Sequence, residues 1–296
     1  MLKCIGVLAH PRRPQTAPVA EKIAAALRQR GLTTWLHTQW DETDVVEDAR
    51  CAEMVVAIGG DGAMLKAARV CAPFNVPVLG VNMGRLGFLT EVRELDDWPT
   101  ALERLVAGDY WVEDRLMVTV RVQQRGQVRL HADALNDVVI SASVIGSMIQ
   151  LDTYIDGHWA TTYNSDALIV ATPTGSTAYA LAAGGPILPP DLKNILIVPT
   201  APHLSMDRSI VLSEGSRVGV RANEDNRNPI LLHADGVSLG SIAEDDIVLI
   251  QSSQHRSRFV RMRQKNYFYR SLLDRLEPRI TPKHEGTLDL EDHPTG

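Results

Sequence analysis

The chain has 296 residues and a formal net charge of −6, so it carries no overall basic footprint for nucleic acid. With 45% hydrophobic and 22% charged residues it reads as globular, with apolar material for one large or two ordinary domains. No apolar run approaches the ~20 residues of a membrane-spanning helix. The opening MLKCIGVLA runs into Pro11 and Arg12 with no small-residue cleavage site, so it is expected to be a buried strand and not a leader. Cys4, Cys51 and Cys71 are odd in number and lack CxxC spacing, which fits inert thiols in a reducing cytoplasm.

The first third alternates strand-like and helix-like patterns. KCIGVLA is a near-continuous apolar run, as in a strand covered on both faces. TAPVAEKIAAALRQRG follows with Val19, Ile23, Ala26 and Leu27 on one helical face, Thr16 placed to cap and Gly31 to stop it. LTTWLHT, MVVAI and VPVLGVN are further strands, with a helix starting near Gly62 between the last two. Such alternation predicts a parallel sheet with helices packed on it.

From about residue 115 the texture changes. In RLMVTVRVQ, Leu116, Val118, Val120 and Val122 alternate with Met117, Thr119, Arg121 and Gln123, and Arg125-Gly126 supplies a turn before QVRLHAD. LNDVVIS, MIQLDTYID, ALIVAT, NILIVP, SIVL, SRVGVRA, PILLHAD, DIVLIQS and RFVRMR continue as short strands broken by Asp-Gly and Glu-Gly turns. The expected fold is therefore α/β plus β: an N-terminal parallel-sheet domain over residues 1–114 and a C-terminal antiparallel, β-rich, sandwich-like domain over 115–265. A helix over 266–280 is expected to return to the first domain, and the polar, acidic tail 281–296 to be disordered.

Two glycine-rich stretches carry the chemistry. AIGGDGAMLKAAR places Gly60, Asp61 and Gly62 between a strand and a helix, where backbone amides and the helix dipole face an anion. Neither GxxxxGK[ST] nor a full GxGxxG is present, so the turn also fits a plain strand-to-helix connection. Lys66, one turn on, either reaches the same anion or lies on a solvated face. ATPTGSTAYALAAGGPI clusters Thr172, Thr174, Ser176 and Thr177 around Gly175, a density of hydroxyls suited to phosphate or ribose, with Tyr179 offering a ring face. A helix start capped by Ser176 or Thr177 is the alternative. Asn136-Asp137 and Asn164-Ser165-Asp166 place polar groups inside apolar runs, which is costly unless paired or functional, or else marks turns. NMGRLGFLTE adds Arg85 and Phe88 at the C-terminal edge of the sheet, where α/β ligands gather. His10, Arg12 and Arg13 lie at the end of the first strand, and His203, His233 and Asp235 show no metal-ligand spacing.

Taken in order, GGDG, NMGRLGFLTE, the Asn-acid pair, SDxLIxxTPTGSTAY and LAAGGPI resemble the NAD kinase family over about residues 1 to 280. GGDG alone is shared with lipid kinases and phosphofructokinases; the GSTAY stretch is far more specific. The resemblance implies a cleft between the two domains where the γ-phosphoryl group of ATP passes to the 2′-hydroxyl of the adenosine ribose of NAD, giving NADP. It implies Asp61 as the base, with Asn136 and Asp137 facing the dinucleotide and Asp166 at its far end. Thr177, Ala178, Tyr179, Ala180 and Leu181 would line the adenosine side, with Gly60, Gly62, Lys66, Phe88, Asn164, Thr174, Ser176 and Ala182 completing the nucleotide site. It further implies Mg2+ or another divalent cation with ATP, no resident metal site, a homodimer or homotetramer, a cytoplasmic location, and neither a nucleic-acid nor a membrane partner. The sequence departs from the family pattern at Asp137, usually Glu, at Ala167, usually Gly, and at Asn164-Ser165, where Gram-negative members often carry Arg before the Ser-Asp pair. A non-catalytic dinucleotide sensor and a lipid kinase of the related GGDG group are the alternative readings.

Overall fold

The computed structural model describes residues 2–84, 87–144 and 146–276. The first elements are β1 (Cys4–Leu8), α1 (Ala17–Gln29), β2 (Thr33–His37), α2 (Glu42–Cys51), β3 (Met54–Gly59), α3 (Asp61–Cys71), β4 (Val78–Asn82) and α4 (Trp98–Ala107). Strands β2, β1, β3 and β4 pair in that order, all parallel. Helices cover both faces, which is why β3 and β4 read as unbroken apolar runs. On one face Val45 and Ala49 of α2 join Met64, Ala67 and Ala68 of α3. On the other, Ile23 and Leu27 of α1 join Trp98, Leu102 and Leu105 of α4.

Two of these helices were not expected from the sequence. Asp41 caps α2 by accepting from the Thr43 and Asp44 amides while Asp44 returns a bond to the Asp41 amide, a capping box whose acids look like an ordinary charged loop. Pro99 opens α4 and Gly108, at φ +73°, ends it. At α1 the expected cap is absent. Thr16 instead accepts from the His10 amide and donates to the Arg13 carbonyl, so its hydroxyl shapes the loop after β1.

The chain continues through β5 (Trp111–Gln124), β6 (Gln127–Ala134), β7 (Asp137–Ala142), β8 (Ile149–Ile155), β9 (His158–Ser165) and β10 (Ala167–Ala171). A 3-10 turn (Gly175–Thr177) and the single-turn α5 (Tyr179–Ala182) precede β11 (Asn194–Thr200), β12 (Ile210–Ser213), β13 (Arg217–Ala222), β14 (Ile230–Ala234), β15 (Val237–Ile242) and β16 (Asp246–Arg261). A six-stranded antiparallel sheet, ordered β12-β11-β10-β7-β14-β15, packs on a second sheet through Val118, Val120, Ile140, Leu168, Val220 and Ile250.

That second sheet is continuous with the parallel one. DIVLIQS and RFVRMR are not two strands but the two halves of β16, bent by a bulge between Ser252 and Arg256. Its far end pairs parallel with β4 at Phe259↔Val78, giving the order β2-β1-β3-β4-β16-β13-β8-β9. Strand β5 follows β16 antiparallel along its length and spans the expected 114/115 boundary. The simple alternation expected of β5 fails where it leaves the sandwich: Met117 is buried in the helix-covered core while Val118 faces the sandwich core.

The helix α6 (Tyr267–Leu276) forms as the period of Phe268 and Leu272 predicts. Residues 277–280 of the expected helix and the tail 281–296 lie outside the described residues, as does Arg85. Among the described residues no helix is long and apolar enough to cross a membrane.

Candidate active site

The GGDG turn sits at the C-terminal end of β3, beside the ends of β1 and β4, in the crevice where open α/β sheets bind ligands. Gly59 takes φ +149°, a conformation that L side chains rarely adopt, and Gly60 is the N-cap of α3. Asp61 is thus the first residue of the helix. Its carboxylate accepts from two successive amides of the loop after β4, Phe88 N to Oδ2 at 2.8 Å and Leu89 N to Oδ1 at 2.9 Å. Gly87 permits this approach, because a Cβ there would lie 2.6 Å from Asp61 Cγ. Asn82 holds the same loop by donating to the Gly84 and Arg93 carbonyls.

Lys66 lies one turn along α3. Its ammonium donates to the Trp40 carbonyl at 3.1 Å and sits 4.3 Å from the centroid of the Trp40 ring. Trp40 in turn donates to the Ala9 carbonyl, so this cation is seated at the end of β1.

The second cluster forms around Asn136 and Asp137 at the start of β7. The Asn136 carbonyl accepts from the Thr172 amide, and Gly175 packs so close that a Cβ would fall 2.9 Å from Asn136 Cα. The hydroxyls of this stretch each make a hydrogen bond within the protein. Thr172 donates to the Leu135 carbonyl. Ser176 donates to the Pro173 carbonyl and accepts from the Leu188 amide. Thr177 donates to the Thr174 carbonyl, and Thr174 accepts from Arg115 at 3.2 Å. Neither Ser176 nor Thr177 caps a helix by its side chain. Thr177, Ala178 and Leu181 remain half-buried and Ala180 is buried, whereas Ala182 and Tyr179 are exposed, Tyr179 by 44%.

Asp235-Gly236 reads in the sequence as a turn near a pocket segment of the resembled family, with no role marked for the Asp235 side chain. Asp235 does turn the chain between β14 and β15 at φ +48°, yet its side chain is fully buried. It accepts from the Leu135 amide at 2.9 Å and the Asn136 amide at 2.7 Å, and pairs with Arg69 of α3 at 3.2 Å. Asp235 therefore holds the Asn-acid pair and ties it to the helix that begins with Asp61. The neighbouring Asp137 carboxyl is pushed up to about 7, first by burial and then by the Asp235 charge.

Asn164 and Asp166 lie elsewhere, at the crossing from β9 to β10. Asn164 donates to the His203 carbonyl, and the Asp166 amide donates to the Thr200 carbonyl. Among the described residues no group of three or more His, Cys, Asp or Glu side chains could hold a metal ion.

A strand-to-helix GGDG turn and a glycine- and hydroxyl-rich loop are thus carried by a parallel sheet continuous with a β-sandwich. Family models match both parts, the ATP-NAD kinase N-terminal domain over residues 5–110 and the ATP-NAD kinase C-terminal domain over residues 135–262. The NAD kinase of Geobacter sulfurreducens is 38% identical over 276 residues, covering 90% of this chain and 96% of the relative. That of Geobacter sp. strain M21 is 36% identical over 278 residues, with the same coverage. The chain belongs to the NAD kinase family. Among solved structures, an NAD kinase from Archaeoglobus fulgidus in complex with ATP superposes with a TM-score of 0.71 at 25% identity, covering 91% of this chain and 97% of that one. Yeast NADH kinase complexed with NADH shares the fold, with a TM-score of 0.82 at 20% identity over 97% of this chain and 90% of that one.

Proposed function

We propose that the protein transfers the γ-phosphoryl group of ATP to the 2′-hydroxyl of the adenosine ribose of NAD, giving NADP. The observation that carries this reading is Asp61, presented at the N-terminus of α3 within a chain whose two parts both match the NAD kinase models. A ribose hydroxyl is a poor nucleophile and must be aligned on the γ-phosphorus with an acceptor for its proton. The Phe88 and Leu89 amides fix the Asp61 carboxylate, and each of its oxygens keeps a lone pair for a substrate hydroxyl. Because the transition state of phosphoryl transfer is loose, holding the reactants in line contributes more than early proton removal.

NAD is proposed to lie across Asn136, Asp137, Asp166 and the Thr174–Ala182 stretch. Backbone groups and the exposed faces of Thr177, Ala178, Tyr179, Leu181 and Ala182 provide its contacts, with Thr174, Ser176 and Ala180 buttressing them. Asn164 completes the far end. Gly60, Gly62 and Phe88 line the phosphate side. Lys66 contributes positive potential from its seat on Trp40.

The divalent cation is proposed to arrive with ATP. The donor set suits that role, since Mg2+ on nucleotide phosphates needs only one or two carboxylates, and Asp61 is a carboxylate in this turn. When bound, the cation neutralises charge on the transferring phosphoryl group. A cytoplasmic homodimer or homotetramer, without nucleic-acid or membrane partners, is the proposed setting.

The test is a coupled assay for NADP formation from NAD, ATP and Mg2+, with Asp61→Asn alongside. Wild type is expected to form NADP, and the variant to lose ~10²-fold or more in rate while still binding NAD. A folded protein that binds NAD but never forms NADP would instead be a dinucleotide sensor. Near-normal turnover by the variant would remove Asp61 from its role.

A further inference from the structure

A buried charge cluster lies between the two halves of the site. Glu113 Oε2 accepts from Arg115 at 2.8 and 3.0 Å and from Arg261 Nε at 2.9 Å. The three side chains are 7%, 3% and 0% exposed, and both guanidiniums pack on the buried Phe259 ring. At its ends the cluster touches the site on both sides. Arg261 Nη1 donates to the Leu89 carbonyl at 2.9 Å, and the Leu89 amide donates to Asp61. Arg115 Nη1 donates to the Thr174 hydroxyl at 3.2 Å, and the Thr174 carbonyl accepts from Thr177.

Burying ionised side chains is costly, and such clusters contribute little net stability compared with apolar packing of the same volume. Strand pairing does not require this one, since β5 and β16 already share a backbone ladder from Trp111↔Arg261 to Gln124↔Asp246. What the cluster adds is reach. Glu113 and Arg115 point to one face of β5, and the fork of Arg115 has donors enough to hold Glu113 and Thr174 together.

We propose that Arg115 and Glu113 are positioning residues that lock the NAD-holding Thr174–Thr177 turn to the loop gripping Asp61, setting the distance between acceptor hydroxyl and carboxylate. The proposal rests on the assignment of Asp61 and the Thr174 stretch to the reaction. A displacement of about 1 Å between such groups is enough to cost ~10²-fold in rate.

The experiment is a double-mutant cycle with Arg115→Met and Thr174→Val, each singly and together, with Thr174→Ser and Asp61→Asn as references. Melting temperature, kcat, KM for NAD and KM for ATP are read for each. Each single variant is expected to lose about tenfold in kcat/KM for NAD, the scale of a lost charge-assisted hydrogen bond, with KM for ATP unchanged. The double variant should be no worse than the worse single one, because both remove the same contact. Thr174→Ser should restore activity. Additive losses, or wild-type kcat and KM for NAD in a folded Thr174→Val, overturn the proposal; this near-isosteric variant decides if Arg115→Met does not fold. If Asp61→Asn is inactive while Thr174→Val behaves as wild type, the coupling fails and the assignment of Asp61 stands. Normal turnover by Asp61→Asn overturns both.

Discussion

Gly87 and Asp61 are packed so closely that no side chain fits between them: a Cβ on Gly87 would overlap Oδ1 and lie 2.6 Å from Cγ. Either the carboxylate must swing away or the loop must lift. Both break the bonds from the Phe88 and Leu89 amides. Gly87→Ala is therefore expected to lose at least ~10-fold in kcat, while overpacking in this half-buried loop costs only ~1–3 kcal/mol of stability. Steady-state kinetics beside a thermal melt separate the two effects. A variant with wild-type kcat would show that Asp61 can turn without consequence.

Gly175 poses a harder constraint, because its neighbour is backbone. A Cβ would fall 2.5 Å from the Asn136 carbonyl carbon and 2.9 Å from its Cα. Gly175→Ala must part the turn from Asn136, straining the Thr172–Asn136 bond. The expected outcome is a KM for NAD raised about tenfold or more, read by titrating NAD at saturating ATP. An unchanged KM would place NAD away from this junction.

The Asp137 carboxyl, pushed from an ordinary 3.8 to about 7 by burial and then by Asp235, makes stability depend on pH. Over this window the folded chain keeps a proton that the unfolded chain has released. Stability therefore falls as pH rises from about 4 to about 7, and the whole penalty stands above that. Asp137→Asn removes the charged form, so it should raise the melting temperature at about pH 8 more than at about pH 5. A difference between variant and wild type that does not change with pH would contradict this.

Arg69 supplies the positive charge beside the fully buried Asp235 and also pairs with Glu42 at 2.7 Å. Removing one partner of a buried pair leaves the other uncompensated. Arg69→Met is expected to cost roughly 3 kcal/mol in urea unfolding, and to weaken NAD binding, because Asp235 holds the Asn136 amide. A loss under about 1 kcal/mol, the scale of an exposed ion pair, would show that the two amides suffice to hold Asp235.

Much of the site was legible because its signals are local. Gly60, Asp61 and Gly62 announce a strand-to-helix turn by composition alone, and the apolar runs on either side place it at a sheet edge. Gly175 and its neighbours mark a loop in the same way. The internal partners of the hydroxyls carry no such local signal. Thr172 and Ser176 donate to the Leu135 and Pro173 carbonyls, which only the folded loop presents to them. The helices α2 and α4 were passed over because their start signals, Asp41 with Asp44 and Pro99, resemble an acidic loop and a breaker.

The sequence by itself determined the alternation of β1, α1, β2, β3, α3 and β4, the change from parallel to antiparallel texture, and the residues at each glycine-rich turn. These follow from periodicity and backbone preference within a few residues. Only the tertiary structure decided which distant groups meet. Asp235 reaches the Asn136 amide, Arg115 reaches Thr174, and Arg261 reaches the carbonyl of the residue whose amide binds Asp61. The first follows from the pairing of β7 with β14, and the other two depend on β16 running from the sandwich into the parallel sheet, long-range pairings with no local signature. Side-chain charges far apart in the chain carry no mark of their partners until that pairing brings them together and burial makes each partner necessary.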